Sequence, residues 1–174
     1  MDSSININSE VINFKQYINS NKDVFTKILK ELEVVSKKTK DFLKSTLTKD
    51  DRIDNQLLEL NQFQTHGFAW FETYRIGLRE TYNWYSRLTQ ENKDSEIDAS
   101  ITIFAFAEYL TQMSNGIMMS QSEIIRPNDL GLEDSDFNFL NEKDVKDVVE
   151  TGLSDKIKKV IVDSLDKDIF ASLG

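Results

Sequence analysis

An all-α fold is predicted: a helical bundle of four main helices, one or two short C-terminal helices, and an irregular crossover segment. Three observations carry this. One proline and six glycines in 174 residues leave few breakers of long helices. Apolar residues recur at intervals of three and four over long stretches, a spacing that a helix turns into one face. No segment shows the strand period or hairpin signal of a half-buried β element.

The elements follow in order. Ser9 is placed to cap a short first helix in which Val11, Phe14, Tyr17 and Ile18 share a face. Ser20 followed by Asp23 resembles a capping box for a second helix that runs to about Leu47. Its apolar positions are Phe25, Ile28, Leu32, Val35 and Phe42, interrupted at Thr39; its other face is mostly lysine with a few acids and reads as solvated. Thr48 with Asp51 repeats the cap signature before a third helix. There the row Ile53, Leu57, Leu60, Gln64, Gly67, Phe71, Tyr74, Leu78, Thr81, Tyr85, Leu88 keeps strides of four and three throughout. Phe63, Trp70 and Trp84 widen this face. As one helix it would be on the order of 60 Å long and the central element, with any kink at Gly67 or Gly77.

The polar stretch ENKDSEID is a turn, with Ser95 the cap of the next helix. ASITIFAFAEYLTQM is apolar almost all round, as in a helix buried between neighbours, and Asn115-Gly116 supplies a left-handed stop. Gly116 to about Gly131 has no clean period and holds the only proline, so an ordered, non-helical crossover is expected. Two shorter helices follow, about Asn141 to Glu150 and Ser154 to Ile169, separated by Thr151-Gly152.

Composition excludes several functions. Lys plus Arg total 21 against 30 Asp plus Glu, a net charge of -9, which makes nucleic acid and anionic membranes poor partners. No tract reaches the roughly eighteen apolar residues of a membrane span, and MDSSININSE lacks a signal pattern, so a cytoplasmic protein is expected. Cysteine is absent, which removes disulfides, thiolate metal sites and thiol nucleophiles. A single histidine excludes the paired Glu-x-x-His of a di-iron bundle and leaves too few nitrogen or sulfur ligands for a usual zinc site. The phosphate-cradling glycine motifs and the nucleophile elbow are missing.

Candidate residues remain. His66 is either an acid, base or ligand contact beside Trp70, or a packed ring bonded to a neighbouring helix; the second is favoured. Phe68, Trp70, Phe71, Tyr74, Tyr82, Trp84 and Tyr85 cover more than one face, as core residues or as an aromatic patch that a partner covers. Glu108, a lone acid in FAFAEYL, is costly to bury unpaired, and Arg75 or Arg79 are its candidate partners.

Two blocks carry a resemblance: HGFAWFETYRIGLRETYNWYSRL and FAFAEYLTQMSNGIMMSQSEIIRPNDLGL. The features are His66, Ala69-Trp70, Thr73-Tyr74, Leu78-Arg79 and Trp84, then Glu108-Tyr109-Leu110, Gly116-Ile117, Met119-Ser120-Gln121, Glu123-Ile124, Arg126-Pro127 and Asp129-Leu130-Gly131. Over about 60–132 the chain resembles the N-terminal helical extension of acyl-CoA dehydrogenases of the methylsuccinyl-CoA dehydrogenase type. The resemblance implies a single helical domain, 1–174, with 133–174 a lead-in to a dehydrogenase part that this chain lacks. It further implies an accessory, non-catalytic role, with no cofactor in this chain and FAD in the parent enzyme. The partner would be the catalytic domain, in the same chain or an adjacent gene product, and homo-oligomers are compatible with it. Docking candidates are Met119, Gln121, Glu123, Arg126 and Asp129 with His66 and Trp70. Alternatives are a stand-alone helical interaction module using its aromatic surface, or a weak acyl-ligand binder.

Overall fold

A computed structural model describes residues 13–168. The Ser9 cap, Val11 and the chain from Ile169 onward lie outside the described residues. The all-helical class holds, with two very short hairpins added.

Helix α1 (Phe14–Ser20) is capped by Asn13, whose side chain accepts the Gln16 amide. Asn21 alone separates it from α2 (Lys22–Leu47). The expected Ser20–Asp23 box does not form, because Ser20 is still helical in α1; Asn21 takes the cap position and its amide donates back to the Tyr17 carbonyl. Along α2 the buried stripe is Phe25, Ile28, Leu32, Val35, Thr39 and Leu43. Thr39 therefore continues the stripe, and Leu43 replaces Phe42 in it. Phe42 instead receives the backbone of Gly131, where an added Cβ would lie 2.3 Å from its ring.

The expected third helix is divided. Thr48 ends α2, and β1 (Thr48–Lys49) pairs antiparallel with β2 (Arg52–Ile53). Asp50 and Asp51 turn the chain with φ of 51° and 57°, the conformation that a two-residue type I′ hairpin needs. Asp54 then caps α3 (Asn55–Leu60) by accepting the Gln56 and Leu57 amides. The break before α4 (Gln62–Gln90) falls at Asn61, whose amide side chain donates to the Leu57 carbonyl. Local bonds of this kind compete with the helical ladder. The apolar row splits accordingly: Gly67, Phe71, Leu78 and Tyr85 are buried on α4, while Leu60 is 80% and Ile53 67% exposed and α3 buries nothing. The 29 residues of α4 extend on the order of 45 Å, and the break lies at neither glycine.

Helix α5 (Glu96–Asn115) begins with a complete capping box between Ser95 and Asp98. It, not α4, is central: α1, α4, α6 (Lys143–Gly152) and α7 (Asp155–Asp168) all pack on it. The cause is composition, since Ala99, Ile103, Phe106, Ala107, Leu110 and Met113 leave little polar surface to face water. Gly116 ends α5 at φ 148° and ψ 131°, an extended glycine conformation rather than the expected left-handed stop. The crossover then folds as a hairpin, β3 (Ile117–Met118) with β4 (Ile124–Ile125), and a 3₁₀ turn, Pro127–Leu130. A second 3₁₀ stretch, Asp134–Asn141, lays Phe137 and Phe139 on the core.

Thr151 and Gly152 belong to α6 rather than separating two helices. Gly152 lets α6 approach α5 closely, since a Cβ there would stand 2.4 Å from Ala107 Cβ and 2.7 Å from the Ile103 carbonyl oxygen. Two lysines of α2 reach the C-terminal elements: Lys27 pairs with Glu142 and Asp144, and Lys38 with Asp136 at 2.7 Å. No helix among the described residues is long and apolar enough to cross a membrane.

Candidate docking surface

Residues 66, 70 and 74 are spaced four apart on α4 and so form one file along the helix. The Trp70 indole N–H donates to His66 Nε2 at 3.1 Å, which places the proton of a neutral His66 on Nδ1. Trp70 meets Tyr74 edge-on with ring centroids 6.3 Å apart, and Tyr74 stacks on Tyr109 of α5 at 4.3 Å. The Tyr74 hydroxyl donates to Gln112 Oε1 at 2.9 Å. Burial, then the neighbouring Tyr109, pushes the Tyr74 phenol up. Stacking and hydrogen bonds thus hold a file of aromatic rings at the surface.

The β3–β4 hairpin sits against this file because Gly67 lets it approach. Ile125, 1% exposed, occupies the space where a side chain at Gly67 would be, with Cγ1 2.3 Å from an added Cβ. That seat brings Glu123 to the wall of a shallow depression shared with Gln62, Phe63, Thr65 and His66. Glu123 is exposed, and its Oε2 accepts from the Ser120 hydroxyl at 3.3 Å. Gln121 is exposed in the hairpin loop, and Met119 is half-buried against the core. Arg126 is exposed and makes no ion pair among the described residues. Asp129 accepts the Arg126 amide at 2.8 Å and so caps the 3₁₀ turn.

Two expected placements need correction. His66 is exposed and bonded within its own helix, not packed against a neighbouring one, because the 66, 70, 74 file lies to the side of the buried stripe. Glu108 is half-buried and meets neither candidate arginine. Arg75 forms a two-pronged pair with Glu72, at 2.8 and 2.9 Å, and Arg79 pairs with Glu80. Burial opposes ionisation of Glu72, but hydrogen bonds from Arg75 and Ser36 bring its carboxyl below the ordinary range.

What sequence reasoning missed is the exposed apolar surface of the first hairpin, α3, the start of α4 and the second hairpin, of which Phe63 lines this depression. Leu58, Leu60 and Ile53 are exposed on α3 and β2, Phe63 on α4, and Met118 and Ile124 on the second hairpin. The signal was present in Asp54 and Asn61, two short polar side chains bracketing Leu57, Leu58 and Leu60. Chemically the surface offers rings, aliphatic contacts, the Glu123 carboxylate and the Arg126 guanidinium, unpaired among the described residues, which suits recognition of a partner. Among the described residues no group of histidine, aspartate or glutamate could hold a metal ion.

No family model matches the chain. The chain is similar to a (2S)-methylsuccinyl-CoA dehydrogenase of Cereibacter sphaeroides, 38% identical over 105 residues. That stretch is 60% of this chain and 19% of the relative, so the match spans about a fifth of the relative's length. A relation to acyl-CoA dehydrogenases is thereby supported.

Proposed function

We propose that this chain is an accessory helical domain of an FAD-dependent acyl-CoA dehydrogenase-like enzyme, corresponding to its N-terminal extension. It packs on the catalytic part and is not catalytic by itself. The observation that carries this reading is the 38% identity confined to 19% of a dehydrogenase. The geometry supports it in a second way, through a preorganised aromatic file and a seated hairpin in place of a reaction cleft.

The residues here do not fit a resident flavin. Among the described residues, the depression at His66 offers no glycine-rich amide cradle for a pyrophosphate. The flavin belongs to the catalytic part. The hairpin loop with Gln121 and Glu123, and Arg126 beyond it, makes the polar contacts to that part. His66 and Trp70 with the exposed Phe63 and Ile124 make the apolar ones.

Sedimentation of this chain mixed with the catalytic part of the similar dehydrogenase, produced without the matched region, tests the reading. A one-to-one complex is expected, lost in a Glu123→Lys, Arg126→Glu variant that keeps its helical circular dichroism. Absence of a complex at tens of micromolar would overturn the proposal. So would a complex made only of copies of this chain.

A further inference from the structure

Two clefts run end to end where α2 lies beside α4. The first, about 380 Å³, is bordered by Lys30, Lys37, Lys40 and Arg75, with Glu33 among them. The second, about 310 Å³, has Leu43, Leu47, Ile53 and Phe68 in its walls, with Lys40 and Lys44 beside them. Lys40 borders both, so the two clefts adjoin along α2 as a groove, mainly basic over residues 30–40 with Glu33 among the lysines, and apolar at the β1–β2 end. From Lys30 to Leu47 it extends on the order of 25 Å, about five helical turns.

Apart from Lys22 at its start, the lysines of α2 divide by flank. Lys27 and Lys38 are held by acids of the C-terminal elements. Lys30, Lys37, Lys40 and Lys44 are exposed and make no ion pair among the described residues. Arg75 is taken by Glu72. In a chain of net charge -9, four free cations on one flank beside an apolar cleft are a local reversal of sign. An occupant must bring carboxylates for the lysines and aliphatic side chains for the end cleft, along a line matching a helix.

We propose that the α2–α4 groove binds an acidic amphipathic helix of a partner protein. Its carboxylates lie over Lys30, Lys37, Lys40 and Lys44, and its aliphatic residues fill the cleft of Leu43, Leu47, Ile53 and Phe68. This surface is on the flank of α4 toward α2, whereas Tyr74 stacks toward α5. The proposal goes beyond dehydrogenase docking and does not depend on it.

Fluorescence anisotropy of the full chain with a labelled glutamate–leucine peptide of about eighteen residues in amphipathic order tests it. Binding is expected, weakened tenfold or more by Lys37→Glu with Lys40→Glu, and separately by Ile53→Asp. All three positions are exposed, so circular dichroism and melting temperature should stay at the wild-type values. Equal binding of a peptide with scrambled order would overturn the proposal. Unchanged affinity in the charge-reversed variant would also overturn it, as would binding to phosphatidylglycerol vesicles with no binding of the peptide.

Discussion

Gly67 and Gly77 lie on the same helix, and alanine at the two positions is expected to act in opposite directions. In a helix interior, glycine to alanine gains about 1 kcal/mol from backbone propensity. At Gly77 the new Cβ meets only Tyr109 Cε2, at 3.6 Å, an ordinary contact. Gly77→Ala should keep that gain and raise the melting temperature by about 2–4 °C. At Gly67 the new Cβ would lie 2.3 Å from Ile125 Cγ1, 2.6 Å from Cδ1 and 2.9 Å from Cβ. The Ile125 Cβ itself is too close, so no side-chain rotation clears it and the β3–β4 hairpin must lift by roughly 1 Å. Overpacking of this kind costs about 1–3 kcal/mol. Because the propensity gain is common to both variants, their difference isolates the cost of unseating the hairpin. Urea denaturation followed by Trp70 and Trp84 fluorescence measures it, with Gly67→Ala less stable than Gly77→Ala by about 1–3 kcal/mol. Equal stability of the two variants would refute the seating of the hairpin on α4.

Three further outcomes are expected. Thr39 is fully buried and its hydroxyl has no hydrogen-bond partner, so Thr39→Val should raise stability by about 1 kcal/mol in the same assay. Burial chiefly, with Asp94 adding, pushes the Tyr85 phenol up to about 12. The folded state prefers its neutral form, a contribution present in full below the ordinary value near 10 and lost as pH rises through about 12. Stability should therefore fall over that window, and fall less in Tyr85→Phe, as urea midpoints across the range will show. The Glu72 carboxyl is held below its ordinary value, so its contribution is present above pH about 4 and lost as the pH falls further. Glu72→Gln should cost about 1 kcal/mol at neutral pH, with the difference from wild type closing in acid.

The proposed surface was legible in part. His66 and Trp70 stood out by residue type, and the file they form follows from their spacing on a helix. Glu123 is a docking candidate of the crossover by sequence, but its nearness to His66 was not legible, since it depends on Ile125 filling the space over Gly67. The Glu108 pairing failed because burial was inferred from an apolar neighbourhood in sequence, whereas the side chain is only half-buried on α5. Arg75 found Glu72 three residues away on its own helix, where i,i+3 side chains are neighbours.

The all-helical class, the Ser95 cap of α5 and the buried face of α4 after Asn61 were determined by sequence alone. Each rests on neighbours within one or two turns, where spacing and cap chemistry suffice. The division of the long apolar row was decided in three dimensions. A helical period continued numerically through Leu57 and Leu60, but a hairpin and an Asn61 turn left those residues without a surface to meet. Strands of two residues have no period to read, so both hairpins were invisible in sequence. The lysines of α2 were equivalent in sequence; tertiary structure separated them, because the acids that hold Lys27 and Lys38 lie 115 and 98 residues away. Charge partners at that distance are chosen by how helices pack, and four of the five α2 lysines left unpaired among the described residues border the groove.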